Sequence, residues 1–191
     1  LRRFVTNAEE FRDQLRFTHS VILGSAALAF IDRSLTDWSS PYCVKDLDVF
    51  CLKSSFLPMI EYFLTQEGYQ IDLERNKVIR YSMGSSHTFN TSIASTMCLK
   101  KKIKDETRRV KIVECCEEAK LAFRPITEFH STIVMNWLTA DSITVTYPAL
   151  TFAHRGIIHP GVYEEGIDGR YIVPNEQSGV RKYRERGYKL Q

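Results

Sequence analysis

Two short apolar segments with polar ends constrain the fold of this chain more than any other part of its sequence. Residues 20–23 form an apolar run that Gly24-Ser25 ends, which is typical of a strand leaving into a tight turn. Residues 46–52 begin as Asp-Leu-Asp-Val and then become wholly apolar, which predicts a strand that reaches a site at its start and is buried at its end. Residues 26–33 are good helix formers, and residues 35–45 indicate a loop. Either motif alone is common, but their order along the chain is much more specific.

The two aspartates, Asp46 and Asp48, are candidate metal ligands and candidate catalytic residues. Residues at i and i+2 of a strand point to the same face, so the two carboxylates lie close together and repel each other. Such a pair is costly unless positive charge lies nearby. Mg²⁺ and Mn²⁺ prefer carboxylate oxygens and keep open positions for phosphate.

Gly24 and Ser25 are candidate substrate-binding residues. Gly24 permits close approach of the backbone, Ser25 adds a hydroxyl, and the helix behind them directs free N–H groups toward an anion. A polyphosphate at this end and metals at the aspartates would suit in-line attack on the α-phosphate of a nucleotide.

The stretches Ile22-Leu23-Gly24-Ser25 and Asp46-Leu47-Asp48-Val49 resemble the signature of the DNA polymerase beta-like nucleotidyltransferase superfamily. A looser likeness to a set of fungal nucleotidyltransferase-like proteins runs nearly end to end and rests on FHST at 129–132, VMNW at 134–137, YPALT at 147–151 and KYRERG at 182–187. The superfamily resemblance implies a small mixed sheet flanked by helices. It also implies transfer of a nucleoside monophosphate from a nucleoside triphosphate to a hydroxyl, with Mg²⁺ or Mn²⁺.

The superfamily usually carries a third carboxylate on a neighbouring strand, and the sequence leaves several alternatives for that position in this chain. The natural place is residues 108–115, where the superfamily pattern expects an acid at 111, but this chain has Lys111. Glu114 is the acid within that strand and faces opposite to Lys111 if the strand is regular. If Glu114 faces the aspartates, it completes a metal triad and activates the acceptor hydroxyl. If Lys111 faces them, its ammonium takes the place of the metal and the protein is a pseudoenzyme. If Lys111 is solvated at the start of the strand, two carboxylates remain.

Strands alternating with helices predict an α/β or α+β domain. We expect one domain over residues 1–191, with a core over 1–155 and a loop-rich C-terminal extension over 156–191. The remaining predicted elements are a helix over 6–17 with a Thr6–Glu9 capping box, a helix over 56–66 ended by Gly68, a strand over 77–83, a turn over 84–87, the strand over 108–115, a helix over 126–138, a strand over 143–147 stopped by Pro148, and a basic helix over 175–186.

Composition points to the inside of a cell. The five cysteines are odd in number and form no C-x-x-C pair, and neither they nor the five histidines show the spacing of zinc ligands, so we expect reduced thiols and a cytoplasmic or nuclear protein. No apolar stretch reaches the roughly 18 residues that a spanning helix needs, so we expect no membrane partner. The start LRRF is no signal peptide, and Leu1 in place of Met indicates an excised fragment.

Three functions remain open for the sequence. In the active version, the partners are a nucleoside triphosphate and an acceptor hydroxyl on RNA, a protein side chain or a small molecule. The second is a catalytically inactive module with the same fold, used for binding or assembly. The third is an RNA-binding module that uses the cations of residues 100–111 or of the C-terminal run, although a solvated hairpin tip and an exposed helix explain these cations as well.

Overall fold

The chain forms an α+β structure around one mixed sheet, as the sequence predicts. A computed structural model describes residues 1–37, 43–76, 92–165, 171–172 and 178–191. Seven strands follow the order β3-β4-β5-β2-β1-β6-β7, in which β2 and β5 are parallel and each other neighbouring pair is antiparallel. Their bounds are β1 (Val21–Leu23), β2 (Asp46–Cys51), β3 (Gln70–Ile71), β4 (Ile93–Ile103), β5 (Glu106–Cys115), β6 (Asn136–Leu138) and β7 (Ile143–Val145).

Helices flank this sheet, and two small sheets accompany the C-terminal part of the chain. The helices whose bounds lie within the described residues are α1 (Ala8–Phe17), α2 (Gly24–Ile31), α3 (Lys53–Thr65), α4 (Pro148–Phe152) and α5 (Ser178–Glu185), and residues 73–76 are also helical. The small sheets pair β8 (Arg155–Gly156) with β11 (Lys189–Leu190) in parallel and β9 (Glu164–Glu165) with β10 (Tyr171–Ile172) antiparallel.

Alternation along β2 divides the sheet into two different faces. Leu47, Val49 and Cys51 are fully buried in the larger core, which also contains side chains of α1, α2 and α3. Phe50 on the other face belongs to a second, smaller core with residues of β1, β5 and the segment after β5. Asp46 and Asp48 share the face of Phe50 but lie before it, so this face is apolar at one end and polar at the other.

The C-terminal helix α5 is amphipathic and packs on the rest of the structure. Val180 and Tyr183 are buried in the larger core, as are Tyr188 and Leu190 that follow the helix. The predicted basic helix over 175–186 is therefore present in its described part, and its apolar side is covered.

The helix predicted over 126–138 is wrong. The segment contains a 3₁₀ turn over Arg124–Glu128, a second over Thr132–Val134, and then the strand β6. The β-branched run Thr132-Ile133-Val134 disfavours an α-helix, and β6 gains partners in both β1 and β7. Tertiary pairing outweighs the helical spacing of the apolar residues.

Smaller corrections concern the ends of elements. Helix α1 is capped by Asn7, whose side chain accepts hydrogen bonds from the amides of Glu9 and Glu10, and the predicted Thr6 cap is absent. The amide of Thr6 donates instead to Glu67 Oε2 at 2.7 Å. The cations of residues 100–111 lie in a hairpin of two long strands, β4 and β5, and its turn holds the exposed Lys104. The strand predicted over 77–83 and the turn over 84–87 lie outside the described residues.

The described helices are too short or too polar for any of them to cross a membrane.

Candidate functional site

The two aspartates lie together at the start of β2, where the second face of the sheet is polar. The side chain of Asp46 is 36% exposed and that of Asp48 is 22% exposed. Their Oδ1 atoms are both buried and have no hydrogen-bond partner among the described residues. The flanking Leu47 and Val49 are fully buried on the opposite face and fix the strand, as expected from the alternation.

Gly24 and Ser25 form the first turn of helix α2 and not a loop before it. Gly24 has φ +68°, a conformation that is costly for a residue with a Cβ atom. A Cβ atom there would lie 3.2 Å from Asp48 Oδ2, so the glycine also allows the strand and the helix to approach each other. The structure thus brings Gly24 directly to the carboxylates. Ser25 is buried and its hydroxyl interacts with the hydroxyl of Tyr183.

Lys111 lies beside Asp48. The parallel register pairs Asp48 with Lys111, and the Lys111 Nζ atom is 3.3 Å from Asp48 Oδ1. The charge of Asp48 raises the pKa of Lys111 above its usual value, so the lysine is an ammonium ion at neutral pH. Of the arrangements open to the sequence, the structure shows the one in which Lys111 faces the aspartates.

Glu114 lies on the opposite face of the sheet. It pairs in register with Cys51, three residues along β2 from Asp48, and its neighbours Val113 and Cys115 point into the smaller core. Three residues along a strand amount to about 10 Å, in addition to the change of face. The structure therefore does not bring Glu114 to Asp46 and Asp48.

A second cation, Arg75, approaches from beyond β3. Its Nη1 atom is 3.9 Å from Asp46 Oδ2, and both side chains are partly exposed. At this distance and exposure the attraction is weak and screened by solvent. Each aspartate nevertheless has a cation within ion-pair distance.

Helix α5 and Asp46 line a common cavity of about 360 Å³. The cavity is lined by Ser25, Cys43, Lys45, Asp46, Lys182, Glu185 and Arg186. The side chain of Glu185 forms an ion pair with Arg181 of the same helix at 3.7 Å. Three cations therefore share this cavity with Asp46 and with an acid that already has a counter-ion.

Arg186 is held in a fixed orientation but keeps free donors. Its Nη2 atom donates to the carbonyl oxygen of Cys43 at 3.1 Å, and its guanidinium lies 5.0 Å from the ring centre of the buried Tyr183. Its Nε and Nη1 atoms are buried and have no hydrogen-bond partner among the described residues. Unpaired buried donors and acceptors are costly. Among the described residues, Arg186 thus presents hydrogen-bond donors without acceptors, and Asp46 presents an acceptor without a donor, in one cavity.

Lys182 is the third cation at this site. Burial against its neighbours and the charge of Arg186 lower its pKa, while the charges of Asp48 and Asp46 oppose that shift. An anion bound between Lys182 and Arg186 would relieve this repulsion.

The aspartates meet the requirements of a divalent metal only in part. Their two buried Oδ1 atoms, which have no hydrogen-bond partner among the described residues, are suitable ligands for Mg²⁺ or Mn²⁺. The Lys111 ammonium, however, lies 3.3 Å from one of these atoms and competes with a metal for the same charge. In the described part of the chain, no group of three or more Asp, Glu, His or Cys side chains is arranged to hold a metal ion.

The sequence did not identify Arg75 as a residue of this site, and it did not indicate where the C-terminal cations lie relative to the aspartates. The four-residue spacing of Lys182 and Arg186, with Tyr183 between them, was a usable signal that both lie on one side of a helix packed through its tyrosine. Nothing in the sequence indicated that this side faces Asp46.

Comparison with models of known protein families finds no match, and comparison with curated proteins finds none either.

Proposed function

We propose that this chain is a nucleotidyltransferase-like domain that binds the phosphate groups of a nucleoside triphosphate through its own cations, as a binding module and not as a transferase. The observation that carries the proposal is the set of cations around the two aspartates. Lys111 and Arg75 form ion pairs with Asp48 and Asp46. Lys45, Lys182 and Arg186 line the cavity beside them.

The ion pairs reduce the need for a metal. Two carboxylates on one strand face repel each other and attract any nearby cation. Because Lys111 already supplies a positive charge at Asp48, a divalent ion would have to displace it or tolerate it at short range. The position at which the superfamily resemblance expects a third carboxylate thus carries the opposite charge.

The cavity suits a phosphate group. The buried Nε and Nη1 atoms of Arg186 can each donate a hydrogen bond to a phosphate oxygen, and Lys182 adds a point charge. The amides of Gly24 and Ser25 belong to the first turn of α2 and have no partners within the helix. They lie at the positive end of the helix dipole, which favours an anion. Since nucleoside triphosphates are ligands found inside cells, we place the domain in the cytoplasm or nucleus.

A second candidate function is metal-dependent nucleotidyl transfer to a hydroxyl of RNA or of another acceptor. The buried Oδ1 atoms of Asp46 and Asp48 favour it, since neither has a hydrogen-bond partner among the described residues and a divalent ion would bind both. A metal bound there would stabilise charge on the entering and leaving oxygens. Asp46 and Asp48 would hold the ion, Gly24 and Ser25 would hold the phosphates, and Lys111 would remain beside Asp48.

Calorimetric titration with ATP and with GTP separates the two candidates. We expect wild-type protein to bind nucleotide in EDTA, and Asp48→Asn to retain that binding because the substitution removes a negative charge near the phosphates. Arg186→Gln should weaken binding by about 1.5–3 kcal/mol, or roughly 10- to 100-fold, because it removes charged donors. Arg184→Gln on the same helix is the matched control, since Arg184 does not line the cavity.

Binding that requires Mg²⁺ or Mn²⁺ and disappears in Asp48→Asn would favour the transferase instead. If no nucleotide binds with or without metal, neither candidate stands.

A further inference from the structure

A second cavity, of about 620 Å³, lies on the same polar face of the sheet but away from helix α5. It is formed by β3, β4, β5 and the residues that follow β3, and we call it the β3–β5 cleft. Its charged lining residues are Asp72, Glu74, Arg75, Lys100, Lys101, Lys102 and Arg109. Among the described lining residues, five cations against two acids give a net charge of +3.

The cations of the cleft are arranged in rows by the pairing of β4 and β5. Lys100 pairs in register with Arg109, and Lys102 pairs with Thr107. Residues two apart on one strand face are about 7 Å apart, so Lys100 and Lys102 repeat along the strand at that spacing. Arg109 also pairs with Asp46, so the row continues into the aspartate site.

Asp72 organises two of these cations. It is 4% exposed, and its carboxylate lies 3.1 Å from Lys100 Nζ and 3.9 Å from Arg109 Nε. A single buried carboxylate cannot neutralise both neighbours, so it holds them in position and leaves excess positive charge. Lys102 is exposed and has no ion-pair partner within the part of the chain that the structure describes.

We propose that the β3–β5 cleft binds the phosphodiester backbone of a single-stranded nucleic acid and leads it toward Asp46. Repeated cations along an open cleft match a ligand with repeated anionic groups. The described residues of the lining include no aromatic side chain for base stacking, so the proposed binding rests on phosphate contacts, which carry no sequence information. Lys100 and Lys102 form a single row along β4, which can follow one phosphodiester strand. Arg75 joins the two sites, because it lines the cleft and lies 3.9 Å from Asp46 Oδ2.

Fluorescence anisotropy with a short labelled oligouridine, its DNA counterpart and a duplex of equal length tests this proposal on the full chain. With about three phosphates neutralised, log K should fall against log salt with a slope of about −2, because each contact on a single strand contributes about −0.7. RNA and DNA single strands should bind alike and more tightly than the duplex.

Lys102→Gln should weaken binding and reduce the magnitude of the slope by about 0.7, since it removes one phosphate contact without touching a buried group. Lys189→Gln is the matched control, because Lys189 is an exposed lysine on the separate β8–β11 sheet. Absence of binding at about 50 mM salt, equal effects of the two substitutions, or a preference for the duplex would overturn the proposal.

The proposal is independent of nucleotide binding in the α5 cavity. Arg186→Gln, which lies in that cavity and outside the cleft, should leave oligonucleotide affinity unchanged. Loss of oligonucleotide binding with Lys102→Gln alone thus reports on the cleft, and loss of ATP binding with Arg186→Gln alone reports on the nucleotide site.

Discussion

Replacing Lys111 by methionine tests the ion pair at the centre of the site. Methionine keeps an unbranched side chain of similar reach and removes the ammonium, which leaves Asp48 beside Asp46 without its nearest counter-ion. For charges 3.3 Å apart, Coulomb attraction is about 5 kcal/mol at an effective dielectric constant near 20 and about 1.3 kcal/mol in water.

The expected loss of stability is nearer to the lower of these two Coulomb energies. The side chains of Lys111 and Asp48 are 39% and 22% exposed, so solvent screens the pair, and removing the lysine also removes the cost of its partial burial. We expect Lys111→Met to lower the free energy of unfolding by about 2 kcal/mol. In a chain of this length that corresponds to a fall in Tm of roughly 4–8 °C.

The assay is thermal and urea unfolding at several pH values. Because Asp48 raises the pKa of Lys111 above its usual 10.5, the stabilisation is complete below that pH and is lost as the pH rises through the value in the folded protein. The difference in the free energy of unfolding between wild type and Lys111→Met should therefore be constant around neutral pH and should disappear in strongly alkaline solution.

Two controls decide whether the loss comes from the ion pair. In the Asp48→Asn background, Lys111→Met should cost little, because the uncompensated charge is gone. Lys53→Met breaks the fully exposed pair between Lys53 and Glu117 and should leave stability unchanged. If Lys111→Met unfolds at the wild-type temperature, or if Asp48→Asn fails to rescue it, the assignment of Lys111 as the counter-ion of Asp48 is refuted.

Three further predictions follow from the same geometry. Lys111→Glu places a third carboxylate beside Asp48, so Mn²⁺ should raise the Tm of this variant more than that of wild type, and equal shifts would contradict the reasoning. Gly24→Ala should lower the free energy of unfolding by more than the ~1–2 kcal/mol that a positive φ alone costs a residue with a Cβ atom. Gly68→Ala is the control, because Gly68 has φ +67° and a Cβ atom there would have nothing within 4 Å. Equal losses of stability in chemical unfolding would show that contact with Asp48 is unimportant. Burial and the charge of Lys182 lower the pKa of His130 from 6.5 to about 4, so the free energy of unfolding of the wild type should fall by about 2–3 kcal/mol as the pH falls across that range. In His130→Gln, urea unfolding at the same pH values should not show this loss of stability. An identical dependence of stability on pH in the two proteins would contradict the prediction.

The sequence predicts the part of the site that is local along the chain. The strand, glycine, helix and Asp-x-Asp order depends on periodicity and on one backbone conformation, and the structure places Gly24, Asp46 and Asp48 together as expected. The α+β class and the strand over 108–115 follow from the same patterns. These features need no knowledge of distant contacts.

The features that the sequence did not predict depend on pairing between distant segments. Residues 126–138 have helical spacing, but β6 forms because β1 and β7 offer it hydrogen-bond partners. The presence of Arg186 in one cavity with Asp46 depends on Tyr183 packing into the core and interacting with Ser25, and no local pattern contains that packing. Local propensity fixes which elements form readily, whereas packing decides where they meet.

The register of β2 and β5 makes position 111 decisive for the chemistry of the site. In a parallel pair, residues in register share a face, so Asp48 meets the residue at 111 whatever its side chain is. Glu114 cannot replace it through a rotamer change, because it lies on the other face and about 10 Å further along. A slip of one residue would turn Val110 and Ile112, both buried, toward the polar face and remove them from the larger core. The hydrophobic pattern of β5 therefore fixes the register, and the register places a cation where the superfamily resemblance leads us to expect a third carboxylate. If the proposed function holds, a change from phosphate binding to metal-dependent transfer requires a substitution at residue 111 and not a rearrangement of the fold.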